Sequence, residues 1–299
     1  MNIGYVEYIN FDFKMEMNKC FKFKEKYCVM KKAMSFLWNN CFNKCKKKEY
    51  SNVFYIFNKK QKSIDNLTKK LNQYGIEKVI YDKELNISYN KVDKDEIIKY
   101  CLPEIITYIK SIKQIKYDQV YIIVDKDTEE NCKIIDEIMA SNKIVNIITD
   151  NQYFFKKENE INGFNNEVFV SVSNNKRRAL KKAEIIINLD LDSLDNYNVN
   201  KDAIIIDVKR TMKTPKYFNG EIIKSVIISN NVKKKFKDFL DINIKKYNFE
   251  ELIAIQILKK YDFDDKRNFM KIHKISVFPV MKIKSENHGK LVKCIDKYT

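Results

Sequence analysis

Glycine and proline are scarce in this chain of 299 residues, with 5 and 3 copies respectively. Flexible linkers between domains are rich in glycine and serine, and stiff ones are rich in proline. No stretch of either kind is visible, so we expect any domains to be joined by helices or tight turns.

The sequence also lacks a long apolar run. No segment approaches the roughly 18 to 20 apolar residues that cross a bilayer. The first residues, MNIGYVEYINFDF, do not contain a basic segment followed by an apolar core, as a secretory signal does. The sequence therefore predicts a cytoplasmic protein without a membrane span.

Residues typical of metal or nucleophilic sites are few. The histidines are His273 and His288, and neither is expected to be catalytic. The seven cysteines are an odd number in a chain without a predicted export signal, which disfavours disulfides. Because Cys41 and Cys45 have no histidine nearby, no metal site is expected.

Arginine is rare although the net charge is +17. Only four of the 57 basic residues are arginines. Clustered positive charge is typical of nucleic-acid binding, but bidentate phosphate and base contacts favour arginine over lysine. We therefore prefer a solvated lysine surface and treat nucleic-acid binding as unlikely, a third alternative for function.

The stretch from Val120 to Arg210 predicts the fold of the second half of the chain. Short apolar runs alternate with helical spans, and the runs are VYIIVD, KIVNIITD, EVFVSVS, EIIINLD and AIIIDVKR. Runs of about 4 to 8 residues rich in β-branched side chains are typical of a parallel sheet buried on both faces. The sequence therefore predicts an α/β protein whose second lobe is a Rossmann-like, doubly wound, mostly parallel sheet.

The remaining pattern predicts an α/β lobe before this sheet and a helical C-terminal segment after it. The expected domains are residues 1–115, residues 116–230 with the Rossmann-like sheet, and residues 231–299, which end in a strand. Within them we expect strands in 1–24, 53–57, 78–82, 221–229 and 274–283, and helices over 25–48, 63–75, 95–115 and 232–261.

Three residues are expected to set helix ends. Ser63 is the expected N-cap of the second helix, and Gly75 is expected to end that helix in a left-handed turn. Pro103 either kinks the third helix or marks its true start.

The turn after the strand VYIIVD has no glycine. A dinucleotide-binding turn needs glycines so that the main chain can approach the pyrophosphate at a helix N-terminus. Here the turn brings four carboxylates to that place, and even well-solvated like charges about 4 Å apart repel by about 1 kcal/mol. We expect these acids to stabilise the following helix instead. They are Asp125, Asp127, Glu129 and Glu130.

Two further features lie at the predicted carboxyl edge of the sheet. Asp150 ends the strand IVNIITD, roughly 20 residues beyond the turn, where an acid can bind a ribose hydroxyl. It can equally be a solvated strand end or a helix N-cap. Lys176, Arg177 and Arg178 follow the third strand and are candidates for binding an anion, the alternative being a solvated helix start.

The segments ALKKAEIIINLDLDSL and DAIIIDVKRTMKTP resemble two strands of the cofactor domain in the shikimate dehydrogenase and glutamyl-tRNA reductase group. This resemblance implies that Asn188, Leu189 and Asp190 line a cofactor cleft and that Asp207 closes the next strand. It also implies NAD or NADP as cofactor, although the glycine-rich turn of the group is absent here.

Two functions follow for the predicted fold. The first is hydride transfer between a nicotinamide cofactor and a carbonyl-type small molecule bound between the lobes, as the resemblance implies. The second is a Rossmann-like protein without catalysis that serves for binding or regulation, which the glycine-free turn favours.

Overall fold

A computed structural model describes residues 1–8, 23–37, 42–46, 51–57, 59–113, 115, 118–156, 168–215, 218–229 and 246–281. In chain order the elements are β1 (Ile3–Tyr8), α1 (Phe23–Leu37), β2 (Phe42–Lys46), β3 (Ser51–Ile56), α2 (Gln61–Gln73), β4 (Lys78–Tyr81), a 3₁₀ helix (Lys94–Tyr100), α3 (Leu102–Ile112), β5 (Val120–Ile123), α4 (Glu129–Met139), β6 (Ile144–Ile148), β7 (Phe169–Ser173), α5 (Lys176–Lys182), β8 (Ile185–Asn188), β9 (Ile204–Asp207), β10 (Glu221–Ile223), β11 (Val226–Ile228), α6 (Phe249–Leu258), α7 (Phe263–Ile272) and β12 (Val277–Pro279). None of the helices in these ranges has the length and apolar character needed to cross a membrane.

The chain forms two compact units, Met1–Lys94 with Phe236–Lys259, and Asp95–Lys235 with Lys260–Thr299. These divisions differ from the expected ones at residues 115 and 230. The chain returns to the first unit after the second sheet, where the Tyr247 hydroxyl donates to the Glu7 carboxylate at 3.2 Å.

The first unit contains a four-stranded sheet in the order β2-β3-β1-β4. β1 is parallel to both β3 and β4, whereas β2 pairs antiparallel with β3. One face of this sheet packs against α2 through Leu67 and Leu71, which contact the cluster that contains Val6 and Phe54. Gly4 of β1 lies in this contact, where an added Cβ would come 3.1 Å from Ile76 Cγ2.

The second unit contains a six-stranded sheet in the order β10-β9-β8-β5-β6-β7, and every neighbouring pair is parallel. Three strands, β8, β9 and β10, therefore follow one another outward on one side of β5, and two strands, β6 and β7, follow on the other. This is the order of a doubly wound dinucleotide-binding sheet. It confirms the predicted Rossmann-like fold.

Burial explains why the isoleucine-rich runs form the centre of this sheet. All residues of β5, β8 and β9 are buried, as expected for strands covered on both faces. On one face, Leu180 of α5 packs into a cluster with Ile123 and Ile186. At the edge of the sheet, β7 is only partly buried.

Two expectations for the first unit are corrected. The helix expected over 25–48 ends at Leu37, and Phe42–Lys46 forms β2 instead, because it pairs along its length with β3. Ser63 does not cap α2, which begins two residues earlier and buries that side chain. Gly75 has the expected positive φ of 60° after the helix.

Expectations for the second unit are also corrected. The strand expected over 221–229 divides into β10 and β11, which join different sheets. The division lies where Ser225 Oγ and the Val226 N–H both donate to Asp95 Oδ1 at 2.9 Å. Pro103 lies in the first turn of α3 and so marks its start.

The polar run DFDDKRN, at residues 262–268, forms the N-cap and the first turns of α7. Asp262 caps this helix by accepting the Asp265 N–H at 2.8 Å, and the acids of its first turn suit the helix dipole. Of the helix expected over 232–261, Phe249–Leu258 is helical, and 230–245 lies outside the described residues. His288 also lies outside them.

The buried Arg267 joins α7 to α3 and α4. Its guanidinium donates to the Tyr100 carbonyl, to both oxygens of Glu104 at 2.9 and 3.0 Å, and to Glu137 at 3.0 Å. Burial lowers the pKa of Arg267, but the two carboxylates outweigh it and the net direction is upward. The charge is therefore tolerated in the interior because it is paired.

We expect Arg267→Ala to lower the free energy of unfolding by about 3 to 5 kcal/mol, because it leaves Glu104 and Glu137 without their buried partner. Lys271→Ala is the control, since that exposed side chain lies 3.4 Å from Glu137 and should cost less than about 1 kcal/mol. Urea unfolding measures both. Equal losses for the two variants would contradict the role of burial.

Candidate functional site

The carboxyl ends of β5 and β8 form the switch point of the six-stranded sheet. The two strands are neighbours, and the chain leaves them toward opposite sides of the sheet. In open α/β sheets, ligands bind outside the strand ends at this point. The segments that lie there are residues 124–128 and 189–192.

The Asp190 carboxylate occupies the main-chain donors of the turn after β5. Its Oδ2 atom accepts the N–H of Asp125 at 2.8 Å and the N–H of Lys126 at 2.9 Å. Asn131 Nδ2 lies 3.4 Å from the same oxygen and also donates to the Lys126 carbonyl at 3.0 Å. An internal carboxylate thus takes the N–H groups that a bound anion would need.

The N-terminus of α4 is capped by a side chain, and the acidic residues of its first turn form ion pairs. Thr128 Oγ1 accepts the Asn131 N–H at 3.2 Å and so caps the helix. Glu129 lies 3.1 Å from Lys133, and Glu130 lies 2.6 Å from Lys99. These acids lie where the helix dipole favours negative charge.

Contacts with the loop after β9 hold the Asp190 segment in place. Lys209 Nζ donates to the Asp190 carbonyl at 2.8 Å, and Thr211 Oγ1 donates to Asp192 at 3.0 Å. The hydrogen bond from Thr211 and the charge of Lys209 lower the pKa of the Asp192 carboxyl. Both ends of the short segment after Leu189 are therefore tied to a neighbouring loop.

Asn188 and Asp207 are fully buried at the ends of β8 and β9. Asn188 Nδ2 donates to the Leu191 carbonyl at 2.7 Å and to Asp207 Oδ1 at 3.1 Å. Asp207 Oδ2 accepts the Met212 N–H at 2.8 Å. Leu189 is buried, and its N–H donates to the Ile123 carbonyl at 3.0 Å. These side chains shape the loops above the strands.

Lys176 binds two carboxylates at the ends of β5 and β6. Its Nζ atom lies 3.0 Å from Asp125 Oδ2 and 2.5 Å from Asp150 Oδ2. The Asp150 N–H donates to Asp125 Oδ1 at 2.8 Å. We call this group of three residues the Lys176 bridge.

The Lys176 bridge joins partners with different exposure. The Lys176 side chain is 5% exposed, whereas that of Asp150 is 70% exposed. Burial lowers the pKa of Lys176, but the hydrogen bonds that its ammonium donates to Asp150 and Asp125 reverse this, and the net direction is upward. The ammonium is therefore held in its charged form.

The structure separates the predicted anion-binding residues. Lys176 is buried in the bridge, whereas Arg177 and Arg178 are exposed on α5. Asp190 is close to the turn after β5, and Asp150 is close to Lys176. The sequence indicates that opposite charges meet at this edge, because the ends of adjacent parallel strands lie there, but it does not indicate which residues pair.

Metal ligands do not cluster in the described ranges, where no group of three or more His, Cys, Asp or Glu side chains could hold an ion. His273 ends α7, and its ring lies 4.3 Å from that of Phe269.

No protein-family model matches this chain, and no curated protein matches it. Solved structures that are similar to it include three reductases or dehydrogenases. The ligand-free 5-ketofructose reductase of Gluconobacter sp. strain CHM43 is 8% identical, with 91% of this chain and 98% of that chain covered and a TM-score of 0.33. A shikimate dehydrogenase in complex with NADP+ is 14% identical, with 91% and 95% covered and a TM-score of 0.30.

The third is quinate dehydrogenase from Corynebacterium glutamicum in complex with NAD, which is 8% identical, with 90% and 99% covered and a TM-score of 0.34. The shikimate dehydrogenase group indicated by the sequence is thus found again among these structures. The strand order of the six-stranded sheet is what defines the Rossmann-like fold of the second unit.

We expect Lys176→Met to lower stability, because Asp125 and Asp150 would then face each other without the cation between them. The Lys176 pKa is raised in the folded state, so its contribution is complete below the unfolded value of about 10.4. It should disappear as pH rises through the higher folded pKa. Urea unfolding of both proteins from pH 7 to 11 measures this, and a difference that grew above pH 10.4 would contradict it.

Proposed function

We propose that the second unit is a Rossmann-like binding or regulatory domain that does not use a nicotinamide dinucleotide for hydride transfer. The observation that carries this proposal is the Asp190 carboxylate on the N–H groups of Asp125 and Lys126, at 2.8 and 2.9 Å. The turn that would receive a pyrophosphate already holds an anion, and that anion belongs to the chain.

A dinucleotide would have to displace this carboxylate before it could use the same donors. Lys209 and Thr211 restrain the segment that carries Asp190, so the displacement would also disturb those contacts. The arriving phosphates would lie near Asp125 and Asp127, and each close pair of like charges costs about 1 kcal/mol even in water. Both effects disfavour binding.

We expect the wild-type protein to show no saturable binding of NADH or NADPH up to about 1 mM, a concentration that corresponds to about −4 kcal/mol. Nucleotide fluorescence during titration measures this. Asp190→Ala should give measurable NADH binding, because it frees the two N–H groups and removes one negative charge.

Asp202→Ala is the control, because it removes one exposed carboxylate elsewhere in the same unit. Saturable micromolar binding by the wild-type protein would overturn the proposal. Equal gains in Asp190→Ala and Asp202→Ala would show that net charge, and not the occupied turn, determines the affinity.

The second candidate is an oxidoreductase that uses NAD or NADP and a carbonyl-type substrate. Asp150 favours it, because its exposed carboxylate follows β6, where an acid can bind a ribose hydroxyl. Only Oδ2 of this carboxylate is used by Lys176 among the described contacts, so Oδ1 could accept a hydroxyl.

If a nucleotide binds, Asp150→Ala should lower the affinity for NADH more than the affinity for NADPH. The lost contact is to the ribose 2′-hydroxyl, which is free in NADH and carries a phosphate in NADPH. Parallel titrations with the two nucleotides measure this. The same loss of affinity for both would remove Asp150 from the ribose role.

A further inference from the structure

Helix α5 exposes four cationic side chains. Arg177, Arg178, Lys181 and Lys182 are all exposed, and none of the four forms an ion pair in the part of the chain that the structure describes. The helix sequence KRRALKK contains no acidic residue. Elsewhere in this unit, lysines on the helices are often paired, as Lys99, Lys110 and Lys133 are.

Lys176 begins the same basic run but does not belong to this surface. It is buried and bound to Asp125 and Asp150. The run therefore contains one buried lysine and four exposed cationic side chains. We call Arg177, Arg178, Lys181 and Lys182 the α5 basic face. Because Lys176 compensates the acids at the strand ends, those acids do not neutralise the α5 basic face.

The residue types of the α5 basic face are unusual for this chain. Only four of its 57 basic residues are arginines, and two of these are Arg177 and Arg178. A third, Arg267, is buried against two carboxylates, where the forked geometry of the guanidinium is used. Arginine binds phosphate oxygens in pairs, which lysine does not do.

The apolar residues of α5 argue against a membrane as partner. Leu180 is fully buried in the core of the sheet, and Ala179 packs against the same cluster. Helices that lie on membranes present large apolar side chains beside their basic ones. The outward side of α5 instead carries charge alone, which fits a soluble polyanion.

We infer that the α5 basic face binds the phosphate backbone of a nucleic acid without reading its base sequence. Four cations on about two helical turns can contact up to four phosphates, and each contact releases counterions. The contacts lie on a solvent-facing helix and do not involve the turn that Asp190 occupies. The inference therefore stands or falls separately from the proposed function.

The test uses the full chain and fluorescence anisotropy with labelled, random-sequence RNA and duplex DNA at increasing salt. At about 50 mM salt the wild-type protein should bind, with log K falling linearly against log salt. The double variant Arg177→Glu and Arg178→Glu should bind at least about tenfold more weakly, and its salt slope on duplex DNA should be shallower by about 1.8, or 0.9 per lost contact.

A matched control is the double variant Lys62→Glu and Lys69→Glu on α2. These two lysines are exposed, and the change alters the net charge by the same amount. It should retain wild-type affinity within about twofold, because the α5 basic face is unchanged and salt screens exposed charges that make no contact with the ligand. Circular dichroism confirms that both variants are folded.

Several outcomes would overturn the inference. One is the absence of binding by the wild-type protein at about 50 mM salt. Another is an equal loss of affinity in the two double variants, which would indicate an effect of net charge. Displacement of the RNA by polyglutamate as efficiently as by unlabelled RNA would indicate an acidic protein as partner. Retention on phosphatidylserine vesicles in the presence of excess RNA would indicate a membrane.

Discussion

The pairing of β5 with both β6 and β8 is the constraint on which the second unit depends. Because β5 is first in the chain order and central in the sheet, the strands that follow must be added on its two sides. Their carboxyl ends then meet along one edge, and Asp125, Asp150, Lys176 and Asp190 all lie in loops or helices that start there. The same constraint makes the central strands isoleucine-rich, since they are covered on both faces.

Much of this architecture could be predicted from the sequence, because burial on both faces gives uninterrupted β-branched runs such as those of β5, β8 and β9. Helix α7 could not be predicted in this way, because its buried residues include Arg267. An arginine is normally interpreted as exposed, and only the carboxylates of Glu104 and Glu137, far away in sequence, allow its burial. The segment Phe42–Lys46 was also missed, because its pairing with β3 outweighs the helical spacing of its apolar residues.

The residues of the candidate site could be named from the sequence, but their partners could not. Three residues were expected from the sequence to have separate roles. Asp125 was expected to repel a pyrophosphate, Asp150 to bind a ribose hydroxyl, and Lys176 to bind an anion. In the structure they satisfy one another. Asp190 was expected to line a cleft, and its carboxylate accepts two N–H groups of the turn after β5. Such pairings depend on loop conformation to within about 1 Å, which side-chain spacing along the sequence does not determine.

The Asp190 contact has a consequence for competition between ligands. A carboxylate attached to the same chain is present at its binding site at an effective concentration that dilution does not change, in the millimolar range even for a short flexible connection. A free anion must therefore exceed this local concentration, or bind with additional contacts elsewhere, before it can take the two N–H groups. Weak individual hydrogen bonds can in this way exclude a soluble ligand, because the competitor is part of the fold.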